Sequence, residues 1–457
     1  MLIEKKLFTN YNLINGLIAL VPLSLILGNL IVNLNVILIC LVGITIYKLD
    51  TFKISKKIYQ YLIYAFFCYL ILITLISYLP LITSNTNKIF PNNISSKESY
   101  IENIFKVFFF LRFLILFFVI TKLIEENHFN VKFFFISCAF FSCVIAIDIF
   151  IQVSFGRNLL GNTYEYRPTS FFNDEDVAGG FLQKFSLFFI FFISFINISK
   201  NKKNYYIYLT FLAFFILIVL INNRMPILLF ISSSIIFLFL NKNFKAMVFA
   251  VLFILSILTT FNVLSEKLST SYLSFYANVK QILVTAPGLF YSSKAEGEVW
   301  YNFTPETLKA AGKSFNKEII PYAHGYTILF NSGIQLWKEN KIFGQGLKSF
   351  KFNCSRGKNT TCSTHPHNYF IEIALDTGLV GLILIYSIFF LSIFDFMKFN
   401  KNNLDFNSKL MSFPFFLIIF FEFFPLRGSG SFFSTSNASI IFLMLPILIG
   451  LSNLKKN

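Results

Sequence analysis

The sequence predicts an all-α, polytopic membrane protein with about twelve transmembrane helices and a large helical loop between the ninth and tenth. Two features of the composition predict this class. Hydrophobic residues make up 56% of the 457 residues and charged residues only 13%, whereas soluble domains contain roughly a quarter charged residues. The mean hydropathy is +0.67. In addition, apolar runs long enough to cross a bilayer recur along almost the whole chain.

Each predicted span fits the ~17–25 residues that a transmembrane helix needs. The spans cover residues 12–28, 31–47, 58–79, 104–122, 132–154, 178–198, 204–221, 226–241, 246–263, 369–394, 410–425 and 434–452. The first run has no small-residue cleavage site and leads directly into the second, so we expect a mature span rather than a signal peptide. Three parts follow: spans 1–9 in residues 1–263, a loop subdomain in 264–368, and spans 10–12 in 369–457.

Lysine distribution predicts the orientation of these spans. If the N-terminus is cytoplasmic, the inner segments contain eighteen lysines, whereas the short outer loops contain six lysines and arginines in total. Cytoplasmic loops are the ones enriched in basic residues. Both termini are therefore predicted to be cytoplasmic and the loop 264–368 periplasmic. The net charge of +17 follows from these lysines, so it does not indicate nucleic-acid binding.

The long loop is predicted to contain an amphipathic helix that lies on the membrane or caps a cavity. Its apolar face consists of Tyr326, Leu329, Phe330, Gly333, Leu336 and Trp337. The sequence Gly344-Gln345-Gly346 then predicts a turn. Further along the loop, Cys354 and Cys362 are eight residues apart. We expect a disulfide between them, which needs an oxidising compartment; a zinc site with His365 and His367 is the open alternative.

The charged residues that we single out inside apolar runs are Arg112, Asp148, Lys184 and Glu422. An unpaired charge at the centre of a span costs about 2.5–3.5 kcal/mol. In the predicted topology all four lie in the outer half of the bundle. Arg112 and Asp148 lie at matching depth on neighbouring antiparallel helices, which favours an ion pair. The charges either fix helix packing or line a polar cavity that opens outward.

Three short outer loops each present one arginine: Arg167, Arg224 and Arg427. The planar guanidinium suits phosphate better than a lysine ammonium does. Single arginines at helix ends are commonly interface anchors, but three on the face of a histidine-bearing loop favour a pyrophosphate site. Asp174-Glu175-Asp176 has a D-x-D form that can hold a metal, and it also suits a helix N-cap. No nucleotide-binding motif is present.

The most informative run is His365-Pro366-His367-Asn368, followed by Gly378-Leu379-Val380-Gly381. It lies where the longest polar stretch meets an apolar span. Imidazole, amide and spaced glycines are not what a lipid-facing anchor needs. They predict chemistry at the edge of the bilayer, with His367 as a group able to take a proton near pH 7.

These features resemble the O-antigen ligase family, which includes the related O-antigen polymerases. The likeness consists of twelve spans, a large outer loop between the ninth and tenth, and the pattern His367-Asn368-x9-Gly378-x-x-Gly381. Further matches are the stretch from Arg167 to Asp176, the turn Asn222-Asn223-Arg224, and the stretch from Trp337 to Gly346. The likeness covers nearly the whole chain in layout.

The resemblance implies an inverting, metal-independent glycosyltransferase of the bacterial inner membrane that uses no cofactor. It implies transfer of a glycan from undecaprenyl-pyrophosphate to a periplasmic acceptor, with catalytic roles for His367, Arg224 and Asn368. Members often have a second arginine in the long loop ahead of the tryptophan, but residues 264–355 contain none; His324 or Lys338 could substitute. We expect substrate binding by Arg167, Arg112, His324, Arg427 and His365.

Two alternatives remain open at this stage. In ligases the acceptor is a lipid A–core sugar, and in polymerases it is another lipid-linked repeat. We favour a ligase because the spacing of the His-Asn and Gly-x-x-Gly motifs fits it best. The alternative from another class is a multi-pass transporter of polysaccharide or lipid, which would favour paired halves with broken helices.

Overall fold

The computed structural model describes residues 2–83, 97–164, 167–172, 175–242, 326–353, 363–403, 405–425 and 427–453. Within these ranges the chain forms helices joined by turns and one isolated bridge between Arg157 and Thr163, without any strand. The predicted all-α class is therefore confirmed. The predicted ninth span, 246–263, lies outside the described residues, as do His324, Asp174, Cys354 and Cys362.

Fourteen α-helices are described. They are α1 (Leu2–Ala19), α2 (Val21–Leu27), α3 (Asn29–Tyr47), α4 (Lys57–Thr83), α5 (Lys97–Glu125), α6 (Val131–Phe155), α7 (Ala178–Phe191), α8 (Lys200–Leu220), α9 (Arg224–Leu240), α10 (Tyr326–Glu339), α11 (Ser349–Asn353), α12 (Tyr369–Asn402), α13 (Phe406–Glu422) and α14 (Thr435–Asn453). Short 3₁₀ turns occur at Lys48–Phe52, Ser170–Phe172 and Phe192–Phe195.

Eight helical segments of the described chain are long and apolar enough to cross a membrane. They coincide with predicted spans 2–7, 10 and 12. Predicted span 1 is a pair of helices, Asn10–Ala19 and Val21–Leu27, bent by 45°, and predicted span 8 is the shorter apolar helix α9. Predicted span 11 corresponds to the 17-residue α13. The chain is thus a multi-pass membrane protein, and the count of twelve stays a prediction.

Two helix breaks have local causes. Pro22 lies in the first turn of α2, where its missing N–H and fixed φ suit a helix start and prevent α1 from continuing. Gly28 separates α2 from α3 with φ +103°, a conformation that residues with a Cβ rarely adopt. Together these breaks turn the first predicted span into a bent entry segment.

The helix ends meet in two groups, which we call the site end and the opposite end. At the opposite end, Asp395 near the end of α12 accepts from Lys56 at 2.8 Å and from Asn453 at 2.9 Å. Glu125 at the end of α5 accepts from Ser55 Oγ at 2.6 Å. These contacts unite the start of α4 with the ends of α5, α12 and α14, as expected for alternating antiparallel spans.

Aromatic side chains fill the interior between helices. Phe66, Phe113 and Phe188 are completely buried, and Phe396 of α12 stacks on Phe416 of α13 with ring centroids 4.0 Å apart. Other phenylalanines, such as Phe109 on α5, are exposed on the outer surface of the bundle. The abundance of Phe therefore supports interhelical packing as well as an apolar exterior.

The amphipathic helix predicted in the long loop is confirmed as α10. Its Leu336 and Trp337 pack against Phe350 and the buried Leu375 of α12. A Cβ on Gly333 would lie 2.5 Å from Ile371 Cγ2. The predicted apolar face thus lies against α12, and it holds this part of the loop on the site end of the bundle.

Candidate functional site

The His367-Asn368 pair lies in a tight turn at the start of α12. His367 has φ +56°, and its carbonyl accepts from Ser429 N at 2.8 Å. The Asn368 side chain caps α12, accepting from Ile371 N at 2.9 Å. Its amide also donates to the carbonyls of Pro425 and Arg427, at 2.6 and 3.0 Å. The loop between α13 and α14 therefore holds this turn from the other side.

The two imidazoles of the motif lie side by side. The ring centroids of His365 and His367 are 4.1 Å apart, and His367 Nε2 lies 3.3 Å from Ser363 Oγ. Burial lowers the pKa of His367, and a backbone hydrogen bond with Ser429 and the Glu372 carboxylate offset part of that shift. Burial, with His367 and Lys348 nearby, lowers the pKa of His365 to about 4. Both rings are therefore neutral near pH 7 and able to accept a proton.

The Gly344-Gln345-Gly346 turn packs against the backbone at Gly378, and we call this contact the glycine joint. Gly378 has φ +64° and interrupts α12, and there the backbone of the long loop docks: Gln345 N donates to Leu375 O at 3.0 Å, and Leu379 N donates to Lys341 O at 2.9 Å. A Cβ on Gly378 would lie 2.2 Å from Ile342 O, and one on Gly344 would lie 2.4 Å from Gly378 N. Only glycine allows this approach.

The joint brings Lys348 to two buried carboxylates of α12. Asp376 accepts from Lys348 N at 2.8 Å and from Ser349 Oγ at 2.7 Å. Glu372 accepts from Ser431 Oγ at 2.6 Å, and its Oε1 lies 3.5 Å from Lys348 Nζ. The sequence analysis missed these three charged residues. Glu372 and Asp376 lie four residues apart inside an apolar run, and Lys348 lies two residues after Gly346 of the Gly344-Gln345-Gly346 motif, so the signal was present.

Lys184, Glu422 and Arg427 form what we call the closed charge cluster. Glu422 Oε1 lies 3.0 Å from Lys184 Nζ, and its Oε2 lies 2.8 Å from Arg427 Nη1. Arg427 also donates to Phe421 O at 3.2 Å and lies over the Tyr369 ring. Because all three side chains are buried, the cluster supports the interpretation in which intramembrane charges fix helix packing.

The expected ion pair between Arg112 and Asp148 is wrong. Asp148 is buried and accepts from Ser170 Oγ at 2.6 Å and from Leu159 N at 2.8 Å. Arg112 instead donates to Thr435 Oγ1 on α14 at 3.2 Å. Asp148 therefore organises the turn that follows α6, which satisfies its charge locally, while Arg112 faces α14.

Arg224 begins α9 beside the loop that joins α6 to α7. Asn223 Nδ2 donates to Asp176 O at 3.1 Å, and Asp176 Oδ2 lies 2.8 Å from Arg167 Nη1. A Cβ on Gly179 in the first turn of α7 would lie 3.2 Å from Asn223 Cβ. Further along α7, Lys184 belongs to the closed charge cluster and pairs with Glu422. His367 and Arg224 therefore lie at the same end of the bundle.

Among the described residues no group of three His, Cys, Asp or Glu side chains is placed to hold a metal. The D-x-D pattern is only partly described, and its Asp176 pairs with Arg167. Cys40, Cys68, Cys138 and Cys143 are free thiols, of which Cys40 and Cys138 are buried in the helix packing. The proposed Cys354–Cys362 disulfide lies outside the described residues.

Comparison with known families gives one match in the region of this site. A family model described as O-antigen ligase matches residues 209–386. The matched segment includes Arg224, His367, Gly378 and Gly381, and all three residues of the closed charge cluster lie outside it. No curated protein matches the chain. The resemblance predicted from the sequence is confirmed by this match.

Proposed function

We propose, on the premise that the chain is a member of the O-antigen ligase and polymerase family, that it transfers a glycan from undecaprenyl-pyrophosphate to an acceptor hydroxyl. The family match supports a membrane glycosyltransferase with a lipid-linked donor. We favour a ligase that uses a lipid A–core acceptor, with an O-antigen polymerase as the alternative. The observation that carries the proposal is a neutral, half-buried His367 at the end of the bundle that also holds Arg224.

The proposed reaction is a single displacement with inversion. The acceptor oxygen bonds to the anomeric carbon while the bond from that carbon to the pyrophosphate oxygen breaks. The acceptor proton goes to His367, and the carrier leaves as undecaprenyl-pyrophosphate. A sugar hydroxyl is a weak nucleophile until a base takes its proton, and the lowered pKa keeps His367 in the form that can do so.

The leaving pyrophosphate needs fixed positive charge. We assign this role to Arg224 and Lys348. Lys348 lies 3.5 Å from Glu372 and close enough to His365 to act on its charge, and it belongs to the long loop, whose residues 264–355 contain no arginine. The reaction is proposed to be metal-independent because these side chains supply the charge.

The other expected site residues receive supporting roles. Asn368 uses its side-chain amide for three hydrogen bonds within the protein, so we assign it to positioning His367. Arg427 neutralises Glu422 and holds the loop that clamps this turn. Arg167 holds the loop beside Arg224 through Asp176. His365 packs against His367, while the role of His324 stays a prediction.

The proposed location is the bacterial inner membrane, with both termini cytoplasmic and the site end periplasmic. The contacts that unite the helix ends support the alternation on which this orientation rests. The opposite end collects Lys56, Lys132 and Lys203, in keeping with the enrichment of basic residues on the cytoplasmic side.

The test is His367→Ala. Loss of a general base reduces transfer by about 10²–10⁴-fold, measured as glycan-capped lipid A–core formed by membranes supplied with the lipid-linked donor. The matched control is His128→Ala at the opposite end, where the ring stacks on Tyr11; transfer should continue. Wild-type transfer by a folded His367→Ala protein would refute the proposed base.

Deleting the gene separates the ligase from the polymerase. A ligase is supported if all capped chains disappear and lipid-linked polymer accumulates. A polymerase is supported if the capped chains shorten to a single repeat. Lipopolysaccharide gels and analysis of the carrier-linked glycans report both outcomes.

A further inference from the structure

A cavity of about 400 Å³ opens between α3, α5, α14 and the segment that follows the glycine joint. Its lining combines three cations with small polar groups and apolar side chains. We call it the cationic groove, and its lining residues include Lys106, Arg112, Lys348, Asn33, Ser434 and Thr435. The volume falls in the range of sites for small ligands.

Positive charge in the cationic groove exceeds the carboxylates that face it. Lys106 lies 2.7 Å from Glu102, and Lys348 lies 3.5 Å from Glu372. Arg112 forms no ion pair with any described carboxylate. It bonds to Phe109 O and Thr435 Oγ1 and lies over the Phe113 ring, while its buried Nε finds no acceptor in the described part of the chain. A charge in a partly buried site is costly when no opposite charge compensates it, so an anion bound in the groove would balance Arg112.

The groove also has an apolar wall that continues onto the outer surface of the bundle. Ile37 on α3 and Phe109 on α5 line it, and they are 43% and 69% exposed. Both belong to helices that are candidate membrane spans, so their exposed faces suit lipid chains. A water-soluble anion would leave this wall unused, whereas a lipid would place its headgroup on Arg112 and its chain along the wall.

We propose that the cationic groove is a binding site for the phosphate headgroup of a lipid, with Arg112 and Lys348 as its principal contacts. Arginine offers a planar fork that matches phosphate oxygens. Lys348 also lies beside Glu372 and close enough to His365 to act on its charge. Lys348 thus connects the groove to Glu372, in the first turn of the helix that follows the His367-Asn368 turn, so the bound lipid would be a polyprenyl-diphosphate glycan donor. That identity, but not the phosphate site itself, rests on the proposed function.

The test measures binding to the purified full-length chain in detergent by native mass spectrometry. The probes are farnesyl diphosphate, phosphatidylglycerol and inorganic pyrophosphate. Arg112→Gln should weaken farnesyl diphosphate binding about 10- to 100-fold, the range expected when a hydrogen-bonded charge is removed. Arg112→Lys should show a smaller loss because charge remains while the fork is lost. The matched control is Lys132→Gln, an exposed cation at the opposite end, which should bind like wild type.

The binding measurements with the three probes distinguish the possible occupants of the groove. Equal losses for farnesyl diphosphate and phosphatidylglycerol support a lipid-phosphate site that ordinary bilayer lipids also occupy. A loss confined to farnesyl diphosphate supports the donor as its occupant. Unchanged binding of both lipids by Arg112→Gln overturns the proposal, and inorganic pyrophosphate binding as tightly as farnesyl diphosphate overturns its lipid character. His367→Ala should retain lipid binding, so failure of the proposed base and failure of this site are distinguishable.

Discussion

Arg427 and Arg112 are two arginines near the site end whose surroundings differ. Arg427 belongs to the closed charge cluster, where Glu422 lies 2.8 Å from its guanidinium and Tyr369 lies under it. Arg112 contacts a hydroxyl, a carbonyl and the Phe113 ring, and none of the described carboxylates forms an ion pair with it. The first arginine is neutralised within the protein, whereas the second is the one to which we assign a bound anion. Local charge balance, more than residue type, is therefore our criterion for separating structural from binding arginines.

The largest effect is expected where the closed charge cluster is broken. Glu422→Gln would leave Lys184 and Arg427 buried with no anion. Removing one partner of a buried pair costs about 3–5 kcal/mol, and the loop that holds His367 would lose its anchor. Thermal unfolding of the purified protein should show a large drop in Tm and, with it, loss of transfer.

The control for this prediction is Asp50→Asn, which breaks the exposed ion pair with Lys53. Surface pairs contribute little to stability, so its Tm should match that of wild type. If the Tm of Glu422→Gln also matches that of wild type, the cluster does not stabilise the fold. Arg427 would then be a candidate to contact a ligand, as Arg112 is.

A smaller effect is expected at the joint that brings Lys348 beside the cationic groove. Gly378→Ala forces a Cβ into a left-handed conformation and against Ile342 O. Backbone strain of this kind costs about 1–3 kcal/mol, and the displaced loop should lower farnesyl diphosphate binding together with stability.

Gly16→Ala is the matched substitution, since its helix has open space at the new Cβ. It should be neutral or stabilising, by up to about 1 kcal/mol from helix propensity. Normal lipid binding by a destabilised Gly378→Ala protein would show that the joint does not place Lys348 in the groove.

The smallest predicted effect is the change in the rate of glycan transfer with pH. Burial lowers the pKa of His367 below the ordinary value of 6.5, so the neutral, active form persists as pH falls to that value. Transfer should be constant from pH 8 to pH 6.5 and decline only below it. The fixed charge of Arg427 should leave the closed charge cluster unaffected over this interval.

The measurement is the pH profile of kcat/KM with a lipid-linked donor, which reports groups of the free enzyme. Stability followed over the same range serves as the control, because a parallel loss would indicate unfolding instead of titration at the site. A decline that begins above pH 6.5 would contradict the environment assigned to His367.

Sequence patterns predicted the helices well because each apolar run has to bury its backbone polar groups within a helix. They were less informative about ion pairs. The matching depth of Arg112 and Asp148 predicted an ion pair between them, yet Asp148 accepts hydrogen bonds from Ser170 and Leu159. Depth along a helix follows from counting residues, but the direction in which a side chain points depends on helix rotation and on the following turn, which counting does not give.

The candidate site was predicted in part for the same reason. His367, Arg224 and the paired glycines could be recognised as motifs. Glu372 and Asp376 were overlooked within an apolar run, and Lys348 follows a glycine turn whose partner lies about thirty residues away in the chain. Only the docking of Gly344 on Gly378 shows that these side chains form one network.

The sequence by itself determined an all-α membrane protein, the alternation of its spans and the position of its histidine motif, because hydrophobic length and residue order are linear properties. The tertiary structure alone decided which charges neutralise one another and which line a groove. Buried charges interact over a few ångströms, and such distances arise only when helices that are far apart in the chain pack together.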